Sequence, residues 1–137
     1  MGDVFTTTKR SWVMSRIRGT NTGPERTVRS FLHGLGFRFR VHVGNLPGRP
    51  DIVLARYKTA IMVNGCFWHH HCGCQNAVWP SNRSDFWRAK IEGTIRRDKA
   101  NRQALRKLGW SVITVWECQA ENPVKLRRQL SSLISRA

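Results

Sequence analysis

Apolar side chains recur along this chain with two periods, and each period marks an element. Over 24–35, Val28, Phe31, Leu32 and Leu35 follow the i, i+3, i+4, i+7 spacing of a helix with one buried face. Thr22-Gly-Pro-Glu25 reads as its capping box, and Gly36 stands where a helix stops. From 37 to 43 the period drops to two, with apolar residues alternating with Arg and His as in a half-buried strand. The turn Leu46-Pro-Gly-Arg-Pro50 follows, and the short apolar runs 51–55 and 59–63 read as two further strands. A loop dense in Cys and His spans 65–75. A long helix is predicted over 84–108, with Trp87, Ile91, Ile95, Leu105 and Leu108 on one face and Gly109 as its stop. The run 110–116 is a nearly continuous apolar strand. Asn122-Pro123 opens a last helix whose Leu126, Leu130, Leu133 and Ile134 face the core. A short basic helix over 9–17 would carry Trp12, Met14 and Ile17.

The order α-β-β-β-α-β-α predicts an α/β fold, a mixed central sheet flanked by helices on both faces. A length of 137 residues, 40% hydrophobic, suits one domain over 1–137 with one core. Charge narrows the function. Twenty-four Lys and Arg stand against 8 Asp and Glu, a formal charge of +16. Such a chain attracts polyanions, nucleic acid first among them, because each neutralised phosphate releases counterions. Six Trp and six Phe argue against a disordered basic tail. Without a membrane-length apolar run or a signal-peptide pattern, the expected location is cytoplasmic and nucleoid-associated.

In that compartment the four cysteines favour metal binding over disulfides. Cys66-x4-His71-x2-Cys74, with Cys118 much later, offers three thiolates and one imidazole, a set that suits tetrahedral Zn²⁺. Four protein ligands leave no open position, so the zinc would be structural. Cys72 could replace His71 in an all-Cys site, and free buried cysteines are the bland alternative.

With only eight acids, the place of each is informative. Asp51 directly follows Gly48-Arg49-Pro50 and heads an apolar strand, where a carboxylate facing a basic groove can hold Mg²⁺ against a phosphate. The alternative is an ordinary turn aspartate solvated beside Arg49. His69, in the metal loop, could take a proton from an attacking water, or be a further metal-site or surface histidine. The capping box accounts for Glu25 without any chemistry.

These residues fall in blocks. Leu46-Pro-Gly-Arg-Pro-Asp51, Gly65-Cys-Phe-Trp-His69, Asp85-Phe-Trp87 and Gly109-Trp110 through Val115-Trp-Glu-Cys118 resemble the signature blocks of the very-short-patch repair endonucleases, in order and spacing, from about residue 9 to 118. The resemblance implies a restriction-endonuclease-like fold with a structural zinc site held by Cys66, His71, Cys74 and Cys118. It implies Mg²⁺-dependent nicking of one strand of double-stranded DNA, 5′ to the thymine of a T·G mismatch left by deamination of 5-methylcytosine. Asp51 would bind the metal together with main-chain groups near Val63, His69 would be the general base, and Glu25 would support them. Phe67, Trp68 and Trp87 match intercalating positions, and Met14 and Ile17 match an N-terminal DNA-contacting segment (1–20) that approaches the opposite groove. Apolar wedges unstack a duplex most easily where pairing is already weak. Trp87 also fits a plain core role, since it shares a helix face with Ile91 and Ile95.

Three departures from that pattern stand out: the extra residue between His71 and Cys74 that creates Cys72, Asn64 after Val63, and Thr94 near the mismatch contact made with Lys90. The expected partner is mismatched double-stranded DNA bound by a monomer, with mismatch-repair proteins as further candidates. Arg10, Arg16, Arg18, Arg83, Arg88 and Lys90 are the candidate phosphate contacts. Two rivals remain: a nuclease of the same fold with another DNA target, and a non-catalytic zinc DNA-binding module.

Overall fold

The computed structural model describes residues 22–66 and 84–137; the helix expected over 9–17 and most of the Cys- and His-bearing loop lie outside the described residues. The first helix, α1 (Gly23–Gly34), starts where its sequence signals place it. Thr22 Oγ1 accepts from the Glu25 N–H at 3.3 Å, and Pro24 sits in the first turn, where a missing N–H costs nothing. Gly36, at φ +86°, ends it, and the Phe37 N–H closes back on the Leu32 carbonyl at 3.0 Å.

The first strand is shorter than its alternation predicts. Only β1 (Arg40–Val41) pairs, because His42 takes a left-handed backbone (φ 50°) that stops the extended run. Strand β2 (Ile52–Leu54) is also trimmed: Asp51 lies one residue before it, and Ala55–Tyr57 form a single 3₁₀ turn. Lys58, again left-handed, turns the chain into β3 (Thr59–Asn64). The long helix α2 (Ser84–Lys107) ends at Gly109 (φ +90°), with the Trp110 N–H bonded to the Leu105 carbonyl at 3.1 Å, and β4 (Ser111–Trp116) follows.

The sheet runs β1-β2-β3-β4, with the first three strands antiparallel and β4 parallel to β3. That parallel step needs a crossover, and the segment containing α2 provides it. One core gathers Val28 and Leu32 of α1, Ile52 and Leu54 of β2, Ile61 of β3 and Val115 of β4, all fully buried. Val53 and Ala60, which alternation places on the other face, are buried as well, so both faces of the sheet are covered. The expected mixed α/β architecture is what the chain adopts. Each fully buried Leu or Ile contributes roughly 1.5–3 kcal/mol, which lets a sheet with a two-residue edge strand hold its register.

Two expectations about the helices are corrected, and one short helix is added. Ile95 and Leu108 keep helical spacing with Trp87 and Ile91 but are exposed, so only part of that stripe faces the protein. The segment after β4 is a short helix, α3 (Glu117–Ala120), in which Gln119 Oε1 accepts from the Trp116 N–H at 2.9 Å. The last helix begins at Asn122-Pro123 as predicted, with Asn122 Oδ1 accepting from Val124 and Lys125. It then breaks at Leu130 into α4 (Pro123–Gln129) and α5 (Ser131–Ile134). Leu126, Leu130 and Leu133 are all buried, so the break preserves the apolar face.

Candidate active site

The turn before β2 aims an acid at the sheet. Gly48 (φ +75°) and Arg49 (φ +47°) are both left-handed, and the Arg49 N–H bonds the Leu46 carbonyl at 3.0 Å. A Cβ on Gly48 would stand 2.8 Å from Cβ of Asn101 in α2, so the turn is pressed against that helix at a point only glycine fits. Asp51 leaves this turn with its carboxylate directed to β3, where Oδ2 accepts the Val63 main-chain N–H at 2.7 Å.

Glu25 arrives from α1. Its residue is only 2% exposed, and its Oε2 lies 2.9 Å from His42 Nε2. Thr22 caps α1 as predicted, and the Glu25 carboxylate belongs to a cluster with His42 and Asp51. One ligating atom from each of these three lies within 4.8 Å of the others. Glu25 therefore does more than cap.

Burial pushes the Asp51 carboxyl up from 3.8 to about 7. The Val63 N–H opposes that rise, the charge of Glu25 and a hydrogen bond with it add to it, and Arg29, one turn along α1, offsets part of it. Two carboxylates brought together away from water need a counter-charge, and a divalent cation is the natural one. The oxygen donors of Asp51 and Glu25 fit Mg²⁺, which prefers hard oxygen ligands. Val63 is half-buried and Asn64 buried, both at the end of β3 beside this cluster.

The chain then reaches Cys66, fully buried, whose main-chain N–H donates to Glu117 Oε1 at 3.4 Å. Glu117 is the neighbour of Cys118 on α3, so two of the expected sulfur ligands come from segments that meet here. His71, Cys72 and Cys74 lie outside the described residues, as do His69, Phe67, Trp68, Met14, Ile17, Arg10, Arg16, Arg18 and Arg83.

On α2, Trp87 is 7% exposed and Ile91 fully buried, whereas Phe86 is 48% exposed and meets the Trp87 ring edge-on at 5.2 Å. Lys90 Nζ lies 5.8 Å from the Phe86 ring centroid. The Thr94 hydroxyl donates to the Lys90 carbonyl at 3.1 Å and accepts from Arg97 at 3.2 Å.

His42 is the residue that sequence reasoning passed over, as one polar position in an alternating strand. The hairpin register holds its signal. Arg40 faces Val53 and Val41 faces Ile52, so residue numbers across the pair sum to 93 and position 42 falls beside 51.

The chain matches known proteins over most of its length. The family model described as DNA mismatch endonuclease Vsr matches residues 2–75. A type II nicking enzyme of Neisseria meningitidis is 44% identical over 134 residues, covering 98% of this chain and 95% of that protein. A type II nicking enzyme of Xanthomonas oryzae is 40% identical over 134 residues, covering 98% of each. The DNA mismatch endonuclease Vsr of Escherichia coli is 41% identical over 126 residues, covering 92% of this chain and 80% of that protein.

Proposed function

This chain belongs to the DNA mismatch endonuclease Vsr family, and we propose on that footing that it nicks one strand of double-stranded DNA 5′ to the thymine of a T·G mismatch. As a member it is a hydrolase, a strand-nicking DNA endonuclease. The observation that carries the mechanistic reading is the meeting of buried Glu25 with half-buried Asp51 in a chain of formal charge +16. Acids sequestered inside so basic a protein have a use when a cation and a phosphate are brought to them.

In this reading Asp51, oriented by the Val63 N–H, would hold Mg²⁺ with Glu25 in support. The bound ion would supply Lewis-acid polarisation of the scissile phosphodiester and stabilise charge on the leaving oxygen. His69 accepts the proton of the attacking water as general base. Cys66, His71, Cys74 and Cys118 would hold a structural Zn²⁺, whose thiolate-rich set fits that metal. Support comes from the Cys66 to Glu117 bond, which joins the two segments bearing Cys66 and Cys118.

The fold proposed is restriction-endonuclease-like, a single domain over 1–137 with residues 1–20 contacting DNA. An antiparallel hairpin bearing the acid, followed by a parallel fourth strand, supports it. Phe67, Trp68 and Trp87, with Met14 and Ile17 from the other groove, are the proposed wedges, and Lys90 the proposed contact near the mismatch. The enzyme acts as a monomer at the nucleoid, with mismatch-repair proteins as candidate partners. No described helix is long and apolar enough to cross a membrane.

The test is a nicking assay with Mg²⁺ on T·G, U·G and fully paired duplexes, with every nick mapped. A single cut 5′ to the mismatched thymine is expected, and Asp51→Ala should lose cutting while retaining binding. Equal cutting of paired DNA would point to another nuclease target. Binding without any cutting by the wild-type protein would point to a non-catalytic module.

A further inference from the structure

The two acids are tied together by a residue that belongs to neither of their elements. His42 makes two bonds, one from its main chain and one from its ring. Its main-chain N–H donates to the Asp51 carbonyl at 3.2 Å, and its ring Nε2 meets Glu25 Oε2 at 2.9 Å. Toward an ionised carboxylate Nε2 can only donate, so the ring contributes an N–H that offsets the charge of Glu25. One residue thus links the backbone beneath one acid to the side chain of the other.

The local backbone serves the same link. His42 sits at φ 50°, a left-handed conformation that crowds the Cβ of any residue but glycine. An extended residue at position 42 would continue β1 with regular alternation. The turn instead ends the strand and presents the ring to α1. Strain of this kind at a polar residue is common where geometry serves chemistry. The ring is mostly enclosed, with its side chain 13% exposed, so its bond to Glu25 is poorly contested by water.

We propose that His42 is a positioning residue of the DNA-cleaving site, holding the Glu25 carboxylate toward Asp51 through a hydrogen bond donated by Nε2. This rests on the reading of Glu25 and Asp51 as the active-site acids. The role calls for an N–H at a set reach and needs no charge. Glutamine carries an amide N–H the same number of bonds from its Cα and can replace the ring; alanine and leucine cannot.

The experiment compares His42→Ala, His42→Gln and His42→Leu with the wild type in the full-length protein. It measures kcat and KM for nicking, thermal unfolding, and binding of Mn²⁺ alone to the DNA-free protein by electron paramagnetic resonance. His42→Ala should lower kcat by about 10–100-fold, the range for residues that orient metal-site ligands. It should also weaken Mn²⁺ binding and leave KM for DNA within about twofold. His42→Gln should restore most of both losses. If His42→Ala does not fold, the contrast between Gln and Leu carries the same test. A kcat and Mn²⁺ affinity unchanged in His42→Leu, or equal losses in Gln and Leu, would overturn the proposal. A wild-type protein that cuts no duplex would overturn the nuclease reading instead, and the Mn²⁺ measurement would still decide the role of His42.

Discussion

The main-chain N–H of Val63 donates to Asp51 Oδ2 at 2.7 Å, joining the head of β2 to the strand beside it. Backbone is a rigid donor, so this bond lets the sheet itself orient the carboxylate. The same bond favours the ionised acid, yet burial and Glu25 outweigh it, and the carboxyl ends at about 7. Asp51 is held in place but left short of positive charge.

That balance predicts a pH dependence of stability. An unfolded Asp titrates near 3.8, and in the folded protein Asp51 titrates at about 7. The folded state therefore holds the proton more tightly. Its stability advantage is complete below about pH 4 and is lost as pH rises through about 7. In metal-free protein, Asp51→Asn should be more stable than the wild type at pH 8 and no more stable at pH 4. Thermal unfolding of both proteins across this range checks it; parallel curves would refute it.

The turn that delivers Asp51 depends on Gly48. Alanine there would meet both the positive φ and Cβ of Asn101 at 2.8 Å. Gly48→Ala should cost about 1–3 kcal/mol in urea unfolding and reduce nicking. Adding Asn101→Ala should restore little, because the nearest atom is the Cβ that alanine keeps. Full recovery in the double variant would show that the strain lies elsewhere.

Removing zinc should cost stability as well as activity, since a structural metal contributes folding free energy. Metal analysis of the purified protein should give one zinc per chain. A zinc chelator, or Cys66→Ser, should lower the unfolding temperature even without DNA. An unchanged melting curve in chelator would remove the zinc from the account.

The two neighbouring aromatics of α2 should respond differently. Trp87 is buried and Phe86 is nearly half exposed. Trp87→Ala should cost about 3–5 kcal/mol in the DNA-free protein, whereas Phe86→Ala should stay within about 0.5 kcal/mol. Chemical denaturation of both variants decides. A negligible loss for Trp87→Ala would mean that its side chain contributes little to the core.

Much of the fold could be read from local pattern because its causes are local. Thr22, Gly36, Gly109 and Asn122 act on backbone groups within a few residues, and their helix ends fall where expected. The strand 59–63 gained one residue and the strand 110–116 lost one, since continuous apolar runs need little help from elsewhere. Asp51 stood out because so few acids exist and a rigid turn precedes it. By contrast, the strand predicted over 37–43 kept only Arg40 and Val41, and the left-handed turn at His42 that ends it has its partners in α1 and at Asp51, just before β2.

The linear order of residues by itself determined the mixed α/β class, the affinity for polyanions, the signature blocks and the candidate acid at position 51. Each of these resides in composition or in short windows. Tertiary structure alone decided that His42 links Glu25 to Asp51, and that Ile95 and Leu108 of the apolar stripe remain in water. The reason is physical: a carboxylate's charge state, a ring's hydrogen bond and a side chain's burial depend on neighbours from distant segments, and no window of sequence contains both partners.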